Sequence, residues 1–112
     1  MSVRMKKFNI EIKLLTNCRK QTRVLLLKEG DKDFIRAIVD AIWTTLDGKV
    51  PLTEDELLIV RRNQDILRKI ASKNTSLKQK RVYLTSKRGQ RALISLLNII
   101  KHHFYNCIMV KF

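Results

Sequence analysis

The side chains of this sequence whose types and spacing point to chemistry are cationic. Arg68, Lys69, Lys73, Lys78, Lys80, Arg81, Lys87, Arg88 and Arg91 fall within a 24-residue stretch, and no acidic residue follows Asp65. Carboxylates nearby in sequence cannot neutralise such a run, so it raises a local positive potential whose natural partner is a polyanion. Guanidinium and ammonium groups that neutralise phosphates release counterions, which gives affinity that is steep in salt and nearly indifferent to base sequence. Helix starts expected near Ser76 and Gly89 lie inside the run. Free backbone N–H groups there would join the side chains on phosphates, with Gly89 permitting close backbone approach. Aromatic residues make up only 6% of the chain, which disfavours single-strand recognition by base stacking and favours a duplex gripped by its backbone.

Other chemistry finds less support. His102 and His103 are adjacent, so on a helix they point about 100° apart, and with Cys107 a metal site would still need a distant fourth ligand such as Cys18. A polar helix end, with His near the last carbonyls, accounts for them. Glu54, Asp55 and Glu56 stand where a helix should begin, and negative charge there is favoured by the macrodipole without any catalytic role. The sequence has no Gly-rich phosphate loop, nucleophile elbow or Cys-x-x-Cys pair. The expectation is a non-enzymatic protein with no catalytic residue, metal ligand or cofactor. Trp43 lies within an apolar helical stretch and reads as core.

These residues must be positioned by a chain of 112 residues carrying 24 Lys+Arg against 10 Asp+Glu, a formal charge of +14. That length predicts one domain, residues 1–112, and 45% hydrophobic content with three Gly and one Pro is enough to fold. Cys18 and Cys107 read as reduced, core-lining thiols. Glu11 and Lys13 interrupt any apolar leader, and no stretch reaches about 18 apolar residues, so an intracellular, nuclear or virion location is expected.

Helix signals recur throughout. Ile10, Leu14 and Leu15 share a helical face, and a second segment, Arg19 to Lys28, carries Val24 to Leu27 and ends at Gly30. Asp31 caps a third helix whose stripe is Phe34, Ile35, Ile38, Ile42 and Leu46, stopped by Gly48. Thr53-Glu54-Asp55-Glu56 is a capping box opening a fourth helix to about Ser72, with Leu57, Val60, Leu67 and Ile70 inward. Ser76 to Gln79 repeats that logic for a fifth helix through Leu84. A turn is expected around Ser86 to Gly89, and a sixth helix carries Leu93, Leu96, Leu97, Ile100 and Phe104. The tail, residues 105–112, fits a continued helix, a short strand or a frayed end. The sum is an all-α compact bundle of five to six short helices. Leu57 to Leu84 also has the outline of a helix-turn-helix, which bundles of short helices often produce by chance.

The charge is unevenly divided: eight basic and one acidic in residues 1–28, five and nine in 29–65, eleven and none in 66–112. The order Gly48-Lys49-Val50-Pro51-Leu52, Leu67 to Lys73, Ser76 to Arg81 and Lys87-Arg88-Gly89 resembles small basic proteins encoded by adintoviruses and related Maverick/Polinton elements, over about residues 20–97. The resemblance implies a virion-associated protein comparable in role to the basic core proteins of adenoviruses, which bind the packaged genome. The proteins it resembles follow the basic run with a Gly-Gly pair and a Gly-rich apolar tail. Here Gly89 is followed by Gln90 and Arg91, and His102–Phe112 lacks glycine, so this chain departs from that pattern after the basic run.

The leading expectation is histone-like or virion-core-like compaction of duplex nucleic acid, DNA favoured over RNA, through the nine cations. One rival is a membrane-active or capsid-associated amphipathic domain, in which the Leu93–Phe104 stripe meets lipid. Another is a protein–protein adaptor or ribonucleoprotein component using the acidic segment 29–65. Pairing of that segment with the basic ends of another copy leaves self-association open.

Overall fold

With Pro51 the sole proline and apolar residues at helical spacing, the chain has few points at which a helix must stop. A computed structural model describes the backbone of residues 3–109 and the side chains of residues 3–101, and it is helical with no strand among them. The elements are α1 (Val3–Lys7), α2 (Asn9–Asn17), α3 (Lys20–Glu29), α4 (Lys32–Leu46), α5 (Glu54–Arg62), α6 (Gln64–Ala71), α7 (Leu77–Thr85) and α8 (Lys87–Met109).

Eight helices among the described residues, where five or six are expected, result from two local features. A short α1 precedes the first expected segment, and Phe8 (φ −103°, ψ 20°) bends the chain between α1 and α2 while its ring sits 5.9 Å from that of Phe34. The expected single helix from Thr53 to Ser72 is broken at Asn63. The Asn63 side chain donates to the Ile59 carbonyl at 2.8 Å and its backbone N–H to the Val60 carbonyl at 3.2 Å, so a local alternative competes with the regular ladder.

The longest helices supply most of the core. Phe34, Ile35, Ile38 and Ile42 of α4, and Leu93, Leu96, Leu97 and Ile100 of α8, are buried as their stripes predict. Each such side chain contributes about 1.5–3 kcal/mol by leaving water. α6 and α7 pack against both long helices, α1 lies against α4, and α2 against α8. The Cα radius of gyration is 13.0 Å, and about 13 Å is what this length gives when closely packed.

Two apolar expectations are overturned, the buried face of α2 and the inward position of Leu57. On α2 the buried pair is Ile12 and Leu15, whereas Ile10 is 73% exposed and Leu14 also faces out. On α3 only Leu27 is buried, and Leu25 is exposed. Leu57 is exposed, because the break at Asn63 reorients α5 and leaves Val60 as its buried residue. Cys18 is half-buried, as a thiol rather than a disulfide, with Sγ 3.8 Å from the Leu15 carbonyl oxygen. α8 continues as helix through Met109, which answers the tail question to that point. The expectations for the side chains of His102, His103, Phe104 and Cys107 fall outside the described residues.

Helix ends follow the sequence closely. Asp31 accepts from the Asp33 N–H at 2.7 Å. The Thr53–Glu56 box closes in both directions, at 3.2 and 3.0 Å. Ser76 accepts from the Gln79 N–H at 3.2 Å, and α7 has only this half of the box. Gly48 takes φ +73° after α4 and donates to the Thr45 carbonyl, while Lys49 donates to Thr44, a C-terminal motif that needs a left-handed residue.

Candidate nucleic-acid interface

The nine cations of the basic run are spread over the last turn of α6 (Arg68, Lys69), the 72–76 linker (Lys73), α7 (Lys78, Lys80, Arg81) and the start of α8 (Lys87, Arg88, Arg91). Among the described residues none of them meets a carboxylate; the ion pairs Arg4–Asp40 and Arg36–Asp33 lie on α1 and α4. The nine nevertheless differ in what their donors reach, and the structure divides them into three groups on that basis.

Lys80 and Arg81 are bound to the backbone. Lys80 Nζ donates to the Ile70 and Ser72 carbonyls, both at 2.6 Å, while the Trp43 indole N–H donates to the intervening Ala71 carbonyl at 2.9 Å and Thr75 Oγ1 to Lys69 at 2.8 Å. The last carbonyls of α6, which have no partner within the helix, are thus each satisfied by a side chain. Arg81 does the same for α3, donating to the carbonyls of Leu27, Lys28 and Gly30 at 3.1, 3.2 and 2.6 Å. A cation at a helix C-terminus also opposes the negative end of the macrodipole. Trp43 is accordingly half-buried and hydrogen-bonded into the fold, as its place in an apolar helix suggests.

Lys80→Met should lower unfolding free energy by about 2 kcal/mol at pH 7, since two charge-assisted bonds are lost and the Ile70 carbonyl is orphaned, while the Ser72 carbonyl keeps the Thr75 N–H at 3.2 Å; urea titration checks it. Burial holds the Lys80 pKa below the ordinary lysine value of 10.5. The unfolded chain therefore binds this proton more tightly than the folded one. Stability of the unsubstituted protein should rise relative to Lys80→Met as pH climbs from the depressed pKa toward 10.5. A difference between the two that is flat across the alkaline range would contradict this.

Arg68 forms the second group. With the Gln64 amide oriented to suit its neighbours, its oxygen accepts from Arg68 Nε and Nη2 at 2.8 and 2.9 Å. Both residues line a cleft of about 410 Å³ with Arg61 and apolar residues of the α4–α5 connection.

The third group is outward-facing: Lys69, Lys73 and Lys78 around the α6–α7 corner, and Lys87, Arg88 and Arg91 at the start of α8, all exposed. The first turns of α7 and α8 contain no acidic residue, whereas those of α4 and α5, in the acidic middle of the chain, contain Asp33 and Glu54 to Glu56. Cations placed at the positive ends of α7 and α8 add to the helix dipole instead of opposing it, which strengthens the field available to an anion.

Gly89 has a different role from the one its sequence position suggests. Ser86 alone separates α7 from α8, and its Oγ accepts from the Gly89 N–H at 3.0 Å. A Cβ at Gly89 would overlap the Tyr83 carbonyl oxygen and stand 2.7 Å from its carbon. The close approach that glycine permits here is between α7 and α8, and Gly89 is buried, out of reach of a phosphate.

Two cations were not anticipated. Lys20 and Arg23, in the first turn of α3, line a cleft of about 480 Å³ together with Lys87 and Arg91 of α8. The signal available for them was the net +7 of residues 1–28, which by itself does not say which helix those residues meet.

Among the described residues no helix is long and apolar enough to cross a membrane, and no group of three or more His, Cys, Asp or Glu is placed to hold a metal ion. No protein-family model, curated protein or solved structure matches the chain.

Proposed function

We propose that this protein is a non-enzymatic binder of duplex nucleic acid, DNA in preference to RNA, that grips the phosphate backbone and serves in genome compaction. The observation that carries the reading is the outward-facing group, Lys69, Lys73, Lys78, Lys87, Arg88 and Arg91, exposed and without a carboxylate partner among the described residues. A surface that mixed both signs for solubility alone would place acids among these cations. The described aromatics support backbone contact over stacking. Phe8 and Phe34 pack on each other, Trp43 donates into α6, Tyr83 lies against the core, and none is exposed. The resemblance to virion-associated basic proteins of adintoviruses and Maverick/Polinton elements is consistent with the same role, in a nucleus or virion.

Burial of Leu93, Leu96, Leu97 and Ile100 weighs against the membrane-active alternative, because lipid reaches that stripe only after unfolding. Gel shifts with unrelated DNA and RNA duplexes at several salt concentrations test the proposal. The expected result is a slope of log K against log salt of about −5, since six contacts contribute roughly 0.9 each, with little difference between sequences. Absence of any shift at low salt would overturn it.

A further inference from the structure

The cleft between α3 and α8 has features that a general duplex-binding surface does not need. We propose that it is a discrete site for a small molecule carrying two or more phosphate groups close together, a polyphosphate chain or a nucleoside polyphosphate. Four cations converge on it from two helices that are distant in sequence: Lys20 and Arg23 from α3, Lys87 and Arg91 from α8. Among the described residues no carboxylate lines the cleft. Four like charges gathered in about 480 Å³ repel one another, and an anion of matching charge density relieves that repulsion.

The geometry narrows the ligand. A duplex presents one charge per phosphate, spread along its axis, whereas a polyphosphate joins its phosphates directly and each terminal one brings about −1.5 to −2 at neutral pH. Two terminal phosphates, or a polyphosphate chain, therefore match four cations within one cleft better than a run of diesters does. The volume lies in the range of small-molecule pockets, about 300–1,000 Å³.

One of the four is held in place before any ligand arrives. Arg23 Nε donates to the Leu15 carbonyl at 2.8 Å and Nη2 to the Cys18 carbonyl at 3.3 Å, which fixes the guanidinium and leaves Nη1 unused by these contacts. A cation already ordered by the fold loses less entropy when it binds. The first turns of both helices border the cleft, neither contains an acid, and α3 has no side-chain cap. Gln90, 6% exposed, lines the floor with its amide nitrogen committed to the Thr85 carbonyl at 2.9 Å; its oxygen remains as an acceptor for a ligand hydroxyl.

Calorimetry and thermal melting with inorganic tripolyphosphate, ATP and orthophosphate at matched ionic strength test the site. Tripolyphosphate should bind one per chain and raise the melting temperature, and orthophosphate should do neither at the same concentration. Lys20→Gln with Arg91→Gln, both exposed positions, should weaken tripolyphosphate at least tenfold, while Lys69→Gln with Lys73→Gln and Lys78→Gln should leave it unchanged. Arg23 is left intact because it caps α2. Tighter binding of ATP than of tripolyphosphate assigns the ligand to nucleotides, and equal or weaker binding assigns it to bare polyphosphate. Several tripolyphosphates per chain, or equal affinity in the Lys20→Gln/Arg91→Gln protein, would overturn the proposal. The site shares Lys87 and Arg91 with the duplex-binding surface but stands or falls separately. A protein that shifts duplexes yet does not saturate with tripolyphosphate loses the cleft and keeps the duplex reading, and the converse result does the opposite.

Discussion

Replacing Lys69, Lys73 and Lys78 together by Gln is expected to weaken binding to unrelated DNA duplexes by on the order of 10²–10³-fold at 0.1 M salt. Each phosphate contact contributes about 0.9 log units of affinity for every tenfold fall in salt below 1 M, so three contacts contribute close to three. The slope of log K against log salt should become shallower by about three at the same time. These residues are chosen because they are exposed around the α6–α7 corner and outside the α3–α8 cleft, with no hydrogen bond from their side chains to the fold. Melting temperature should move little, which separates lost contacts from lost structure. Fluorescence anisotropy with two duplexes of unrelated sequence measures affinity and slope together. A drop confined to one duplex would point to base reading in place of backbone grip.

Gly89→Ala should have the largest effect on stability of any single methyl addition in the basic run. The added carbon would collide with the Tyr83 carbonyl, which is main chain and has no rotamer by which to withdraw. Relief requires α7 and α8 to separate, and that disturbs Leu84 on one helix and Ala92 and Leu93 on the other, all buried. Overpacking commonly costs about 1–3 kcal/mol, and a backbone collision belongs at or above the upper end. With that loss the melting temperature should fall by roughly 12 °C or more, followed by circular dichroism at 222 nm. If Gly89 instead served a phosphate contact, the substituted protein would melt normally and bind duplex less well, and that outcome would contradict the packing described here.

The caps at Asp31 and Thr53, the stop at Gly48 and the stripes of α4 and α8 could be read directly, because each depends on residues within one or two turns of each other. The exposed state of Ile10 and Leu57 could not. A short amphipathic segment offers more than one plausible apolar face, and the partner that selects among them is remote in sequence.

The fate of each cation was undetermined for the same reason. Apolar spacing and caps predicted helices, and the order of charged residues made the chain strongly basic and without acids after Asp65. Tertiary structure decided that Arg81 would be absorbed by carbonyls more than fifty residues away and Lys80 by the end of α6, that Arg68 would turn to Gln64, and that Lys20 and Arg23 would face Lys87 and Arg91. A charged side chain goes to whichever unsatisfied group or solvent lies within its reach. Its own sequence sets that reach, and the packing of the other helices sets what lies inside it.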